Sequence, residues 1–196
     1  MSHPELPAET LRPLFEDGAA IWREFCRRRG PLFHPFVPAD YAGAYEVLRT
    51  LTPRAHSFLE LGSGVGVITI LAGLLGFEAY GIELDWWLVE QATQLASRHG
   101  SRATFAAGSF VPAEYQDEAA RASLDFGGAA EGQPAYLELG MALSDFDLVY
   151  MFPWPGEEEL HFEMMRRHAR PKALFLIYDG TEGFQLFQGG QLLEDQ

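Results

Sequence analysis

The chain of 196 residues has one cysteine, Cys26, so an intrachain disulfide and a four-cysteine zinc site are both excluded. A lone thiol fits a reducing compartment, and a cytoplasmic location is expected. No run reaches the roughly 18 apolar residues of a membrane span. The opening "MSHPELPAET" lacks the basic start and apolar stretch of a secretory signal. A soluble, unprocessed protein with no membrane partner is the expectation. No His, Asp or Glu spacing suggests a metal site. Internal repeats and low-complexity tracts are missing too. Basic residues are scarce, 14 Lys and Arg against 28 Asp and Glu, and the shortage is uneven. Residues 1–60 carry 7 Arg against 8 acids, whereas 61–196 carry 7 basic residues against 20 acids. The formal charge of −14 repels a phosphate backbone, which disfavours nucleic acid and favours a small molecule or a basic protein. Arg27–Arg29 and the group Arg166, Arg167, Arg170 and Lys172 read as solvated helix ends.

What is present is a rhythm. The length suits one domain with a proper core. "LFEDGAAIWREFCRRRG" places Leu14, Ile21, Trp22 and Phe25 near helical spacing and stops at Gly30-Pro31. "PADYAGAYEVLRTL" repeats that signal, so residues 1–55 read as a helical cover and 56–196 as the main unit. The Pro-rich "PLFHPFVP" between the helices reads as an ordered turn or a lip over a site. From Ser57, short apolar runs alternate with helical ones: "SFLEL", "GVITILAGLLG", "EAYGIEL", "DWWLVEQATQLASRHG", "ATFAAGS", then "FDLVYMF", "GEEELHFEMMRRHAR" and "KALFLIYDG". Strands apolar on both faces, each followed by a helix, imply an α/β fold with a parallel sheet covered on both sides. Residues 111–140 interrupt the rhythm with a helix, "PAEYQDEAARASL", and a Gly/Ala-rich connection. The tail "GFQLFQGGQLLEDQ" reads as a hairpin turning at Gly189-Gly190.

The chemistry concentrates in "LELGSGVG". A turn from a parallel strand into a helix N-terminus presents unpaired N–H groups, and glycines let a ligand approach them. A P-loop needs Gly-Lys-Ser/Thr, and Gly66-Val67-Ile68 excludes it. A dinucleotide fingerprint aligns on Gly62 and Gly64, but its third small position falls on Val67, so NAD-dependent oxidoreduction stays open as a weaker alternative. Seventeen residues after Gly66, "YGIELD" ends a strand with Glu83, whose carboxylate can accept two ribose hydroxyls.

With Glu60, Gly62, Gly64 and Gly66 in its positions, "LELGSGVG" resembles the Glu/Asp-x-Gly-x-Gly-x-Gly motif of class I S-adenosylmethionine-dependent methyltransferases. The resemblance covers roughly residues 38–180 and implies a three-layer Rossmann-like sandwich with a mostly parallel central sheet, N-terminal helices and a short C-terminal hairpin. It implies S-adenosyl-L-methionine as cofactor, held by Glu60, Gly62, Ser63, Gly64, Gly66, Glu83, Leu84, Ser109 and Phe110. An acid at the strand tip suits a cofactor that bears an ammonium and no phosphate. Leu84 would pack on adenine, and Ser109 stands where family members often carry an Asp that reaches the adenine amino group.

At the end of the fourth strand, "MFPWPGEEEL" resembles in part the Asp/Asn-Pro-Pro-aromatic loop of amino-methylating members, with Phe152 in the polar position. The candidate catalytic residues are therefore Phe152, Trp154 and Glu157. "FPWP" is faintly similar to the transfer-RNA guanine-N7 methyltransferases, but Glu157-Glu158-Glu159 replaces their basic run. "GIELDWWLVEQA" resembles the small lysine methyltransferases that modify ATP synthase subunits. The resemblance implies methyl transfer to a nitrogen or oxygen of a small molecule or protein side chain. A non-catalytic scaffold that binds the cofactor or a partner is the alternative. His34, His161 and His168 read as core or surface histidines.

Overall fold

β1 (Ser57–Leu61) is buried along its whole length, as a strand apolar on both faces must be at the centre of a covered sheet. In the computed structural model, which describes residues 6–30, 39–112, 133–153 and 157–193, it lies between β2 (Glu78–Glu83) and β4 (Leu148–Met151), parallel to both. β3 (Thr104–Ala107) pairs outside β2 and β5 (Leu174–Asp179) outside β4, again in parallel. β6 (Gly183–Gln188) and β7 (Gln191–Leu192) add two antiparallel strands, giving the order β3-β2-β1-β4-β5-β6-β7. The reversal between β1 and β4 leaves a crevice above the carboxyl ends of the central strands, where α/β sheets take their ligands.

Alternation along β1 divides the core. Phe58 packs with Leu48, Ile70 and Leu71 on the side of α2 (Tyr41–Leu51) and α3 (Val67–Leu74). Leu59 and Leu61 face Phe146, Met164 and Phe175 on the other. α1 (Ala8–Arg29) contributes Leu11, Leu14 and Phe25 to the first cluster. α4 (Trp86–Arg98) joins it through Leu88, Ala92 and Leu95. α5 (Glu158–His168) covers the second, with Glu158 and Glu159 in its first turn and Arg166, Arg167 and His168 in its last, the order the helix dipole favours.

The α/β sandwich and its largely parallel sheet are thus as the sequence pattern indicates. Asp85, the first residue of "DWWLVEQATQLASRHG", caps α4 by accepting from the N–H groups of Trp87 and Leu88. The tail does turn at Gly189-Gly190, both at positive φ as a tight hairpin requires. Its first arm goes further than expected and extends the sheet. Asp179 accepts from the N–H groups of Thr181 and Glu182, closing an Asx-type turn that lays β6 directly along β5. α1 begins at Ala8, well before the apolar spacing becomes visible, and carries Pro13 in its second turn. That proline deprives only the carbonyl of exposed Glu9, which water can serve. The stretch "PLFHPFVP", the helix expected after Val111 and most of its Gly/Ala-rich connection lie outside the described residues. Among the described residues, no helix is long and apolar enough to cross a membrane.

Candidate functional site

Between β1 and α3 the backbone needs three left-handed residues, with φ of 74° at Gly62, 52° at Gly64 and 78° at Gly66. The N–H groups of Gly62 and Ser63 donate to the carbonyl of Ile82 at 2.9 and 2.8 Å, tying the loop to β2. Gly66 closes the turn onto the Ser63 carbonyl at 2.7 Å. The glycines serve different ends. A methyl on Gly66 would stand 2.7 Å from the Phe105 ring and 2.8 Å from Cβ of Ala92, whereas one on Gly64 would meet no atom within 4 Å. Gly66 lets α3 and α4 close on β3, and Gly64 leaves room for something outside the chain.

Glu60 projects from β1 toward α3. Its Oε2 accepts from the Thr69 N–H at 2.9 Å and from the Thr69 hydroxyl. Burial pushes its carboxyl up to about 8, against the pull of those two bonds and with a smaller push from Glu83. The acid expected to meet an ammonium is therefore already bonded to the helix it precedes. Glu83, at the tip of β2, accepts from the Gly64 N–H at 2.8 Å and the Asp85 N–H at 2.9 Å, one on each oxygen. Burial raises its carboxyl too, opposed by these N–H groups. A carboxylate offers about four lone-pair sites, so each oxygen keeps capacity for a ribose hydroxyl.

Two adjoining spaces open over this loop. The larger, about 740 Å³, is bounded by Gly62, Gly64, Glu83, Leu84, Phe110 and Glu157, with Phe152 at one side. The smaller, about 70 Å³, lies against Glu60, Ser63, Tyr41 and Tyr150. Trp22, Gly62, Gly64 and Phe152 border both, so two aromatic side chains are common to the two spaces. Leu84 is 38% exposed on the cleft, available to cover a flat ring. Phe110 is buried beside Gly62. Phe152 is held edge-on by Tyr178 at 5.0 Å.

Most of the residues singled out from the sequence converge here, but not all. Gly66 packs behind the loop. Ser109 is fully buried, its hydroxyl accepts from the Val111 N–H at 3.1 Å, and it does not border the cleft. Trp154 lies outside the described residues. Glu157 stands on the larger space beside Phe110, away from the smaller one. His161, read as a core or surface histidine, lies buried one turn after Glu157 with its ring 5.7 Å from Phe110.

α1 supplies the part that sequence reasoning missed. Trp22 stacks on Phe25 and Phe25 on Trp87, at centroid distances of 5.4 and 6.1 Å, and Arg28 lies 4.5 Å over the Trp87 ring. Arg29 pairs with Asp85. Together they form one wall of the larger space. The aromatic pair at positions 22 and 25, one helical turn apart beside three arginines, was the available signal.

The smaller space has the donors and acceptor that an amino-acid group uses. The hydroxyls of Ser63 and Tyr150 are buried without a hydrogen-bond partner among the described residues. Each such orphan costs about 1–3 kcal/mol, and native chains keep few of them without a use. Burial raises the Tyr150 phenol strongly and pushes Tyr41 up to about 12, so both are donors at neutral pH. Two orphan donors side by side fit a carboxylate, and an ammonium brought against Glu60 would favour loss of its proton.

No family profile matches the chain. A 66-residue segment is 42% identical to the ATP synthase lysine N-methyltransferase of Homo sapiens, covering 34% of this chain and 28% of that protein. The chain thus matches well under a third of that relative's length. Among solved structures, an RNA methyltransferase from Salinibacter ruber in complex with S-adenosyl-L-homocysteine superposes with a TM-score of 0.52 at 20% identity, over 73% of this chain and 78% of that one. An O-methyltransferase from Bacillus cereus, also in complex with that product, gives 0.53 at 15% identity, over 88% and 66%.

Proposed function

We propose that this chain, which has the Rossmann-like fold of the class I S-adenosylmethionine-dependent methyltransferases, binds S-adenosylmethionine and transfers its methyl group to an amine of a basic protein. The observation that carries the reading is the convergence of the glycine loop, Glu83, Leu84 and two orphan hydroxyls on one pair of adjoining spaces. When bound, the cofactor supplies a methyl group activated on a sulfonium sulfur. Glu83 receives the ribose hydroxyls, and Leu84 and Phe110 offer apolar surface to the base. Ser63 and Tyr150 donate to the carboxylate of the amino-acid end, while Glu60, held by Thr69, gives up its proton when the ammonium arrives beside it. Trp22 and Phe152, common to both spaces, would exclude water at the junction and offer aromatic surface to a cation, each worth about 0.5–2 kcal/mol. The acceptor must arrive aligned and unprotonated, and alignment with desolvation is what such a junction provides. Two features support a lysine amine over other nucleophiles: the segment shared with a lysine N-methyltransferase, and the formal charge of −14, which attracts a basic protein.

The test is a calorimetric titration of S-adenosylmethionine, S-adenosylhomocysteine and NAD against the wild type and Glu83→Ala, followed by product release on lysine-rich protein. Both sulfur nucleosides should bind, NAD should not, and Glu83→Ala should weaken binding about tenfold or more. Binding of NAD alone would end this reading. Phe152, an apolar side chain where amino-methylating relatives place a polar one, favours one other reading. Cofactor binding without methyl release to amines, phenols or basic proteins would identify a non-catalytic scaffold.

A further inference from the structure

Glu157, which borders the larger space, and His161, one turn further along α5, form a buried pair to which the methyltransferase reading assigns no role. Glu157, the residue before α5, is 6% exposed, and His161 is 1% exposed. Neither ring nitrogen of His161 has a hydrogen-bond partner among the described residues. Nε2 stands 3.5 Å from Oε2 of Glu157, close enough for Coulombic contact and too far for a well-formed bond. Burial pushes the imidazole down to about 4, so it is neutral near pH 7 and has one N–H to give. A buried, unsatisfied imidazole against a buried carboxylate is costly, and the carboxylate's residue, Glu157, borders a space sized for a ligand.

We infer that Glu157, positioned by His161, accepts the exocyclic amine of the cofactor's adenine and so selects a 6-amino purine. The inference rests on the adenosylmethionine reading. Position is the first argument. Glu157 and Phe110 border the larger space together with Glu83 and Leu84, and Glu157 does not border the smaller one, so it lies toward the nucleoside rather than the methyl junction. The second is elimination at the neighbouring loop. Ser109 spends its hydroxyl on the Val111 N–H and is closed off from the cleft, so its side chain has no access to the base. Chemistry is the third. An aromatic amine only donates and a carboxylate only accepts, and with little water the charge-assisted bond is strong. His161 acts through Glu157: its Nε2, 3.5 Å from Oε2 and without a bond of its own, becomes a donor to the carboxylate with a shift of a few tenths of an ångström.

The experiment compares S-adenosylhomocysteine with S-inosylhomocysteine, which carries a 6-oxo group, by calorimetry on the wild type, Glu157→Gln, His161→Phe and His161→Asn. The wild type should prefer the adenine compound by at least about tenfold. Glu157→Gln, whose amide can also donate, should bring the ratio within about threefold of unity. His161→Phe should narrow it, and His161→Asn, which retains a donor, should restore part of it. The ratio is independent of the fraction of protein that folds, and thermal denaturation reports stability separately. A ratio unchanged in Glu157→Gln overturns the inference, including the outcome in which that variant loses turnover alone and the carboxylate serves the acceptor. Equal affinities in the wild type overturn the inference while leaving the cofactor reading intact. Failure of both compounds to bind the wild type removes that reading and the inference with it.

Discussion

Substituting alanine at Gly64 and Gly66 should separate ligand space from packing within one loop. At Gly66 a side chain at φ 78° costs about 1–2 kcal/mol, and overlap with the Phe105 ring and Ala92 adds about 1–3. The sum, about 2–5 kcal/mol, is a large share of a typical stability of about 5–15. For a domain of this size each kcal/mol is worth about 2–4 °C, so Gly66→Ala should melt roughly 4–20 °C lower. Gly64 has φ 52° and no neighbour within 4 Å, so Gly64→Ala should lose only the backbone share, roughly 2–8 °C. Gly64 borders both spaces, however, and its methyl group takes room beside the ligand. Affinity for S-adenosylhomocysteine should fall by about tenfold or more. Thermal denaturation and calorimetry on the same preparations give both quantities. Wild-type affinity in Gly64→Ala would show that the ligand does not lie against this loop. Wild-type stability in Gly66→Ala would refute the packing argument.

Tyr150→Phe removes a buried hydroxyl that lacks a partner and retains the ring that stacks on Phe58. The free protein should therefore gain up to about 1 kcal/mol while cofactor affinity drops about five- to tenfold, read by denaturant midpoint and calorimetry. Glu60 gives a prediction of the opposite sign to ordinary acid denaturation. Its folded carboxyl lies near 8, above the ordinary 4.5, so the folded state holds the extra proton and stability declines as pH rises between those values. Glu83 is raised by burial and adds to the decline. Urea titrations at about pH 5.5 and about pH 8.5 should show the decline in the wild type and a shallower one in Glu60→Gln. Equal declines would mean that Glu60 is ionised throughout.

What the sequence made legible is what short-range rules govern. Buried strands, the Asp85 cap and three glycines demanding left-handed backbone are each specified within a few residues, and so was the frame of the site from Glu60 to Leu84. Long-range packing was not. Trp22 and Phe25 belong to a helix that reads as a cover, and only its approach to Trp87 makes it a wall of the cleft. Ser109 occupies the expected place in the chain, yet its hydroxyl turns to the adjacent loop N–H, a choice that periodicity does not record. Glu60 stands out in the sequence as an acid at a strand tip, but its bond to Thr69 depends on how α3 packs over β1. The pairing of β6 with β5 hung on an Asx-type turn that a glycine-rich tail does not advertise.

The two main-chain bonds that Glu83 accepts, from Gly64 and from Asp85, bear on how a nucleoside would be received. They hold the carboxylate in one rotamer before any ligand arrives, so conformational entropy worth about 0.5–1.5 kcal/mol is lost during folding rather than at binding. One bond comes from the glycine loop and the other from the start of α4, so the side chain also braces the two segments on either side of the ribose position. An aspartate, one methylene shorter, would have to give up one of these bonds or draw the segments together.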